Sequence, residues 1–108
     1  MKYKMTFPER YAAILICNAL KSTNAKEWRI VEAAKEKIKI TDQEKEDLKV
    51  RVVSNMITFD KEKAEQCVTE YDLDEQFISF LKRQVTAMNE QNALAREVLP
   101  LADRFEIE

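Results

Sequence analysis

The chain contains no glycine and no histidine, and these two absences exclude whole classes of chemistry. Without histidine it cannot form a Ser-His-Asp triad or a Cys-His pair, and it lacks the commonest zinc ligand. Without glycine it has neither a P-loop nor a dinucleotide-binding fingerprint, because both need backbone conformations that only glycine adopts easily. We therefore predict no catalytic residues, no cofactor and no metal site, and we do not expect an enzyme.

Cysteines and long apolar runs are also scarce. The two thiols, Cys17 and Cys67, lack metal-ligand spacing, and a disulfide between them is not expected in a cytosolic protein. The longest apolar run, residues 11–17, is well short of the roughly 18 residues that span a bilayer. It also lies too far inside the chain for a signal peptide. The expected location is therefore the cytoplasm of the cell, with no membrane partner.

Charged residues are abundant and unevenly distributed. The 108 residues include 18 Lys and Arg and 20 Asp and Glu, which give a net charge of -2. Residues 1–40 hold nine cations and four glutamates, whereas residues 41–108 hold nine cations and sixteen acids. Either the two halves pair with each other, or the first half presents a basic face to an anionic partner. Pairing is favoured, because glutamates alternate with the cations of the first half.

Capping motifs and helical periodicity predict about five helices. Capping boxes at residues 6–9 and 24–27 begin the first two helices, and the first helix is apolar nearly all round. A box at residues 41–44 begins a short third helix, and one at residues 72–75 begins a fourth that ends near residue 90. The last helix contains Pro100, which is expected to bend or divide it.

Between the third and fourth helices the pattern becomes that of β-strands. Most residues on both sides of Ser54-Asn55 are β-branched or aromatic, which predicts a hairpin with its turn at these two residues. In the absence of glycine, Asn55 is expected to adopt the left-handed conformation. Residues 66–71 are a candidate third strand. Residues 1–108 are thus predicted to form one α+β domain, mainly α. About five helices surround a small antiparallel hairpin or three-stranded sheet.

Five residues at the second predicted helix are the candidate partner-binding residues: Trp28, Arg29, Lys35, Lys37 and Lys39. Trp28 is expected to anchor the core stripe of this helix. An interface hot spot is the alternative, because tryptophan is enriched in both settings. The cations form a predicted basic face together with Lys26. A protein partner is expected, and self-association is a second prediction because the apolar first helix needs cover.

Three helices followed by a hairpin are the order of elements in a winged-helix protein, so a DNA-binding regulator is the alternative function. The helix before the hairpin would read the DNA, but four of its residues are acids: Asp42, Glu44, Glu46 and Asp47. These acids would repel the phosphates, which supply most of the affinity for DNA. They are expected to cap their helix rather than hold a metal. Only the basic face of the second helix remains for DNA, and nucleic acid is not the expected partner.

Four short strings follow one another along the chain: MTFPERY at residues 5–11, ITFDKEKA at 57–64, MNEQNAL at 88–94 and LPLADRF at 99–105. In these strings and in the order of its elements, the chain resembles a family of small uncharacterised bacteriophage and prophage proteins, built as helices around a small hairpin. The resemblance implies expression inside a bacterial host cell, and it carries no site residues. The predicted function is that of a non-enzymatic interaction protein. Such a protein binds and modulates a protein partner or serves as a small assembly component.

Overall fold

A computed structural model of the chain describes residues 2–53 and 56–107. Within these residues the helices are α1 (Phe7–Ala19), α2 (Ala25–Ile38), α3 (Asp42–Asp47), α4 (Lys61–Gln66), α5 (Glu75–Glu90) and α6 (Leu99–Arg104). The strands are β1 (Lys2–Thr6), β2 (Arg51–Val53), β3 (Met56–Thr58) and β4 (Val68–Asp72). The fold is α+β and mainly helical, as predicted. Six described helices replace the predicted five, because the polar segment after the hairpin forms α4.

Two of the predicted capping boxes are complete, at the starts of α1 and α3. The Thr6 hydroxyl accepts a hydrogen bond from the Glu9 amide at 3.3 Å, and the Glu9 carboxylate accepts one from the Thr6 amide at 2.8 Å. Thr41 and Glu44 make the same exchange at 3.2 and 3.1 Å. These bonds satisfy amides that the first helical turn leaves without partners.

Two other predicted helix starts differ from the expected boxes. The α2 cap is half a box, in which the Asn24 side chain accepts a hydrogen bond from the Glu27 amide at 2.8 Å. The box expected at residues 72–75 is wrong, because Asp72 is the last residue of β4. Asp74 caps α5 instead and accepts a hydrogen bond from the Gln76 amide at 2.8 Å. Strand pairing therefore moves this helix start two residues along the chain.

The last predicted helix is divided, as expected from its proline. A 3-10 turn at Arg96–Val98 leads directly into α6. Pro100 lies in the first turn of α6, where its missing amide would have had no helical partner. The proline therefore begins a helix rather than bending one.

Three helices end in a left-handed residue at the position that glycine usually takes. These residues have φ angles of 53°, 55° and 56°: Lys49 after α3, Asn92 after α5 and Glu106 after α6. In each case the amide of the following residue donates a hydrogen bond to a carbonyl of the helix. The Val50 amide, for example, donates to the Lys45 carbonyl at 2.9 Å. The described backbone strain thus lies at helix ends. The predicted strained turn, Ser54-Asn55, lies outside the described residues.

The strands form two separate antiparallel pairs. β2 and β3 form the predicted hairpin, with Arg51 opposite Thr58. The predicted third strand exists as β4, but it pairs with β1 and not with the hairpin. The strand β1 is an unpredicted element, although apolar and charged residues alternate in residues 2–5 as in a strand. Its partner follows more than sixty residues later, so local patterns could not reveal the pairing.

Buried apolar side chains form two clusters. The main core lies among α1, α2, α5, α6 and β1, and its largest fully buried members are Met5, Val31, Ile38, Leu73, Phe77, Phe80, Leu81, Val85 and Leu101. The satellite core consists of Phe7, Leu48 and Ala64, covered by Tyr11, Ile40, Val50, Phe59 and Cys67. Helix α1 contributes to both clusters and is central, as predicted. Other elements of the same chain cover much of its apolar surface, while Tyr11, Ile14 and Leu15 are partly exposed. Self-association through α1 stays a prediction.

Candidate functional site

The predicted partner-binding residues lie on α2 or directly after it, so the geometry of this helix defines the candidate site. Its buried residues, Val31, Ala34 and Ile38, follow one another at helical spacing on one face. Trp28 is only partly buried and does not belong to this stripe, so the expected role of Trp28 as a core anchor is wrong. At 100° per residue, Trp28 lies beside the stripe rather than within it. Most of this 14-residue helix therefore remains accessible.

One flank of α2 carries cations that are paired with neighbouring glutamates. We call it the paired flank: Trp28, Glu32, Lys35, Glu36 and Lys39. The Lys39 ammonium lies 2.7 Å from the Glu36 carboxylate, and the Lys35 ammonium lies 4.0 Å from that of Glu32. The hydrogen bond from Lys39 lowers the pKa of Glu36, and the same bond raises the pKa of Lys39. Exposed pairs like these add little stability, but they neutralise this flank.

The opposite flank of α2 carries cations without interleaved acids. We call it the cation stripe: Lys26, Arg29 and Lys37, with Ala33 between the last two. Their spacing places them on one side of a helix, and all three are exposed. The Lys37 ammonium donates to the Asp72 carbonyl at 2.7 Å. Lys26 and Arg29 form no ion pair with any residue that the structure describes.

The cation stripe borders a shallow groove between α2 and α5. One depression of about 260 Å³ lies between Arg29, Ala33 and Lys37 of α2 and the Leu73-Asp74 segment before α5. A second depression of about 210 Å³ continues toward the start of α2, where Ser79 and Arg83 of α5 face Lys26. Ile30 lines both depressions, so they lie next to each other along the two helices. We call the two depressions together the α2–α5 groove.

The carboxylates that line the α2–α5 groove already have partners. At one end, the Glu27 carboxylate lies 3.3 Å from the Arg83 guanidinium and joins the two helices. At the other end, Asp74 accepts the hydrogen bond that caps α5. The residues that line the groove include four cations and two acids, so the groove carries a net positive charge although the whole chain has a net charge of -2.

A second concentration of charge, around Arg10, has a structural role. Arg10 is 1% exposed, and its guanidinium donates to the carbonyls of Ile38 at 3.1 Å and Lys39 at 3.0 Å. It also binds both carboxylate oxygens of Glu44 and lies over the Tyr71 ring. The hydrogen bonds from Arg10 lower the pKa of Glu44 to about 2. Because its contacts are internal, Arg10 connects α1 with the ends of α2 and α3 and offers nothing to a ligand.

Arg104 plays a similar part at the same, N-terminal end of α1, where it contacts Glu9. Its guanidinium lies 4.1 Å from the centre of the Tyr3 ring and donates to the Glu9 carboxylate at 2.9 Å. Glu9 is 8% exposed and also belongs to the α1 capping box. Arg104 therefore fastens α6 to β1 and α1, and both arginine clusters are structural.

The thiols and acids offer no comparable site. Cys17 is buried, which raises the pKa of its thiol to about 12, and Cys67 is partly buried; neither forms a disulfide. In residues 2–53 and 56–107, no three Cys, Asp or Glu side chains converge as metal ligands would. Of the described helices, none is both long and apolar enough to cross a membrane.

Comparisons with known proteins find no match for this chain. No protein-family model matches it, and no curated protein or solved structure is significantly similar to it. The candidate site therefore depends on its own geometry.

The structure separates the five predicted partner-binding residues. Arg29 and Lys37 border the groove, whereas Trp28, Lys35 and Lys39 lie on the paired flank. Arg83 is a groove residue that the sequence analysis missed, because only the packing of α5 against α2 brings it there. The i, i+3, i+11 spacing of Lys26, Arg29 and Lys37 was the available signal for the stripe.

Proposed function

We propose that this chain is a non-catalytic interaction protein that binds and modulates a protein partner through the accessible side of α2. The proposed setting is the cytoplasm of a bacterial host, in keeping with the resemblance to small phage and prophage proteins. A role as a small assembly component would use the same surface.

The observation that carries this proposal is the separation of charge on α2. Its cations divide into a neutralised flank and a cation stripe, and the stripe borders a groove. Surface charges arranged in this way favour a complementary partner and set the rate of encounter.

A quantitative pull-down from bacterial lysate tests the proposal. The immobilised chain is expected to capture a protein that is lost when Arg29, Lys35, Lys37 and Lys39 are all changed to alanine. The matched control changes four exposed cations outside α2: Lys45, Lys61, Lys63 and Arg96. Circular dichroism verifies that both variants are folded. A folded wild-type chain that captures nothing, or a capture that survives the α2 changes, contradicts the proposal.

A DNA-binding regulator is the second candidate, and the cation stripe is the observation that favours it. Helix α3 precedes the hairpin, which is the position of the reading helix in a winged-helix protein. It is unsuited to that role, because it has only six residues and its Glu44 is bound to Arg10. Binding through α2 would retard duplex DNA at micromolar protein and low salt, and the affinity would fall steeply as salt is added. A gel-shift assay without retardation under these conditions removes this candidate.

A further inference from the structure

We infer that the α2–α5 groove is the docking surface for an acidic segment of the partner protein, an inference that rests on the function proposed above. The occupant is an amphipathic segment whose carboxylates face the cation stripe and whose small apolar side chains face the floor of the groove.

Charge complementarity is the first argument for this occupant. Lys26 and Lys37 are eleven residues apart, which corresponds to about 16 Å along the helix. Arg29 lies between them on the same side of α2. Carboxylates on successive turns of a partner helix repeat about every 5.4 Å, so about three turns of an acidic helix span the whole stripe.

The floor of the groove supplies the second argument. Ile30 is partly buried and lines both depressions, and Ala33 separates Arg29 from Lys37. The small side chain of Ala33 lets another backbone approach α2 closely between the two cations. An acidic segment with apolar residues on one side uses both the rim and the floor of the groove.

The same geometry favours a protein segment over nucleic acid. The stripe is a single row of cations, bordered by Glu32 and Glu36 on the paired flank and by Asp74 at the start of α5. The chain has a net charge of -2, so it exerts no long-range attraction on a polyanion. Neither depression has an aromatic residue in its lining on which a base could stack.

The test uses the ¹⁵N-labelled full chain and three probes. The first is a helical peptide of about four turns, made of alanine, leucine and glutamate with the glutamates on one side. The second replaces each glutamate with glutamine, and the third is a DNA duplex of similar length. We expect the acidic peptide to shift the amide resonances of Arg29, Ile30, Ala33 and Ser79. The glutamine peptide is expected to leave them unchanged.

Two double variants give the matched comparison. Arg29→Ala with Lys37→Ala removes two cations of the stripe, and Lys35→Ala with Lys39→Ala removes two from the paired flank. The first pair is expected to weaken binding of the acidic peptide about tenfold. The second is expected to change it less than about twofold, because those cations are already neutralised.

Three results overturn the inference: no shift up to millimolar peptide, equal weakening by the two double variants, or tighter binding of the duplex than of the peptide. The failure of this inference can be distinguished from the failure of the proposed function. If the lysate partner is captured through α2 but the acidic peptide does not bind, the docking inference fails alone. If the peptide binds in the groove but no protein is captured, the proposed function fails alone.

Discussion

The main core and the satellite core differ in how the chain builds them. The main core joins α1 and α2 to α5 and α6, so its contacts connect the two ends of the chain. The satellite core gathers described residues between Ile40 and Cys67 onto Phe7 and Tyr11 at the start of α1. Among the residues whose burial the structure describes, sixteen buried residues belong to the main core and three to the satellite core. We therefore expect the main core to govern global stability and the satellite core to open locally.

Arg10 is the connection between these two regions. It lies between the main-core residue Tyr71 and the satellite residue Phe7, whose rings are 5.4 and 5.9 Å from its guanidinium carbon. Its hydrogen bonds reach the end of α2 and the start of α3, where the chain passes from one core to the other. Substitutions in the main core, at the connection and in the satellite core should thus have different consequences.

The largest effect is expected in the main core, from Phe80→Ala. Phe80 is fully buried beside Phe77. Its removal leaves a cavity that the packed helices cannot close by moving toward each other. We expect a loss of about 3–5 kcal/mol in the free energy of unfolding. Urea denaturation followed by circular dichroism measures it, with the exposed Lys82→Ala as control. If Phe80→Ala lowers the free energy of unfolding no more than Lys82→Ala does, the main core does not govern global stability.

The next effect is expected at the connection, from Arg10→Met. Methionine keeps the aliphatic volume but leaves the Ile38 and Lys39 carbonyls without their donor and Glu44 without its cation. We expect a loss of about 2–3 kcal/mol in the same measurement. The Arg104→Met variant removes the less buried arginine and should cost less. If the two variants are equally destabilised, Arg10 is not the principal connection.

A smaller and local effect is expected in the satellite core, from Phe59→Ala. Phe59 is partly buried against Phe7, with ring centres 5.1 Å apart, so we expect a loss of about 1–2 kcal/mol. The two thiols report on the two cores separately. Alkylation of Cys67 should become faster in the variant, while the buried Cys17, whose pKa is about 12, should remain unreactive. Equal acceleration at both thiols would mean that the cores unfold together.

The acid sensitivity of the connection follows from Glu44. Its pKa is about 2 in the folded chain, below the ordinary value of 4.5, because Arg10 donates hydrogen bonds to it. A lowered folded pKa stabilises the fold above pH 4.5, and this stability is lost as the pH falls toward 2. We expect about 1 kcal/mol from this partly exposed group.

Thermal denaturation between pH 2 and pH 7 tests this expectation. Glu44→Gln should lower the melting temperature at pH 7 and make it less dependent on pH than in the wild-type chain. Glu46→Gln, which changes an exposed residue on the same helix, is the control. Identical pH profiles for the wild-type chain and Glu44→Gln would show that the pair does not contribute.

The smallest expected effects are stabilising and arise at the helix ends. Lys49→Gly and Glu106→Gly place glycine at positive φ, one beside the satellite core and one beside the main core. Each should stabilise its region by about 0.5–1 kcal/mol, because the Cβ atom of any residue other than glycine disfavours the left-handed conformation. Hydrogen exchange should show Lys49→Gly protecting the residues near α3 alone. Protection spread over the whole chain would mean that the satellite core does not open separately.

Most individual elements could be predicted from the sequence, because local interactions determine them. The capping boxes of α1 and α3, the hairpin and the division of the last helix all depend on residues within a few positions of one another. The pairing of β1 with β4 could not be predicted, since its partners are distant in sequence. That pairing also moved the start of α5 from its predicted cap.

The candidate site divides in the same way. The sequence alone predicts that α2 is a helix rich in cations and that no glycine or histidine chemistry is available. Only the packing of the helices shows which side of α2 is buried, that Trp28 lies outside the core, and that Arg83 of α5 faces Lys26. The physical reason is that the helical period gives the relative positions of side chains on one element. Which side faces solvent, and what lies across from it, depends on packing against elements distant in the chain.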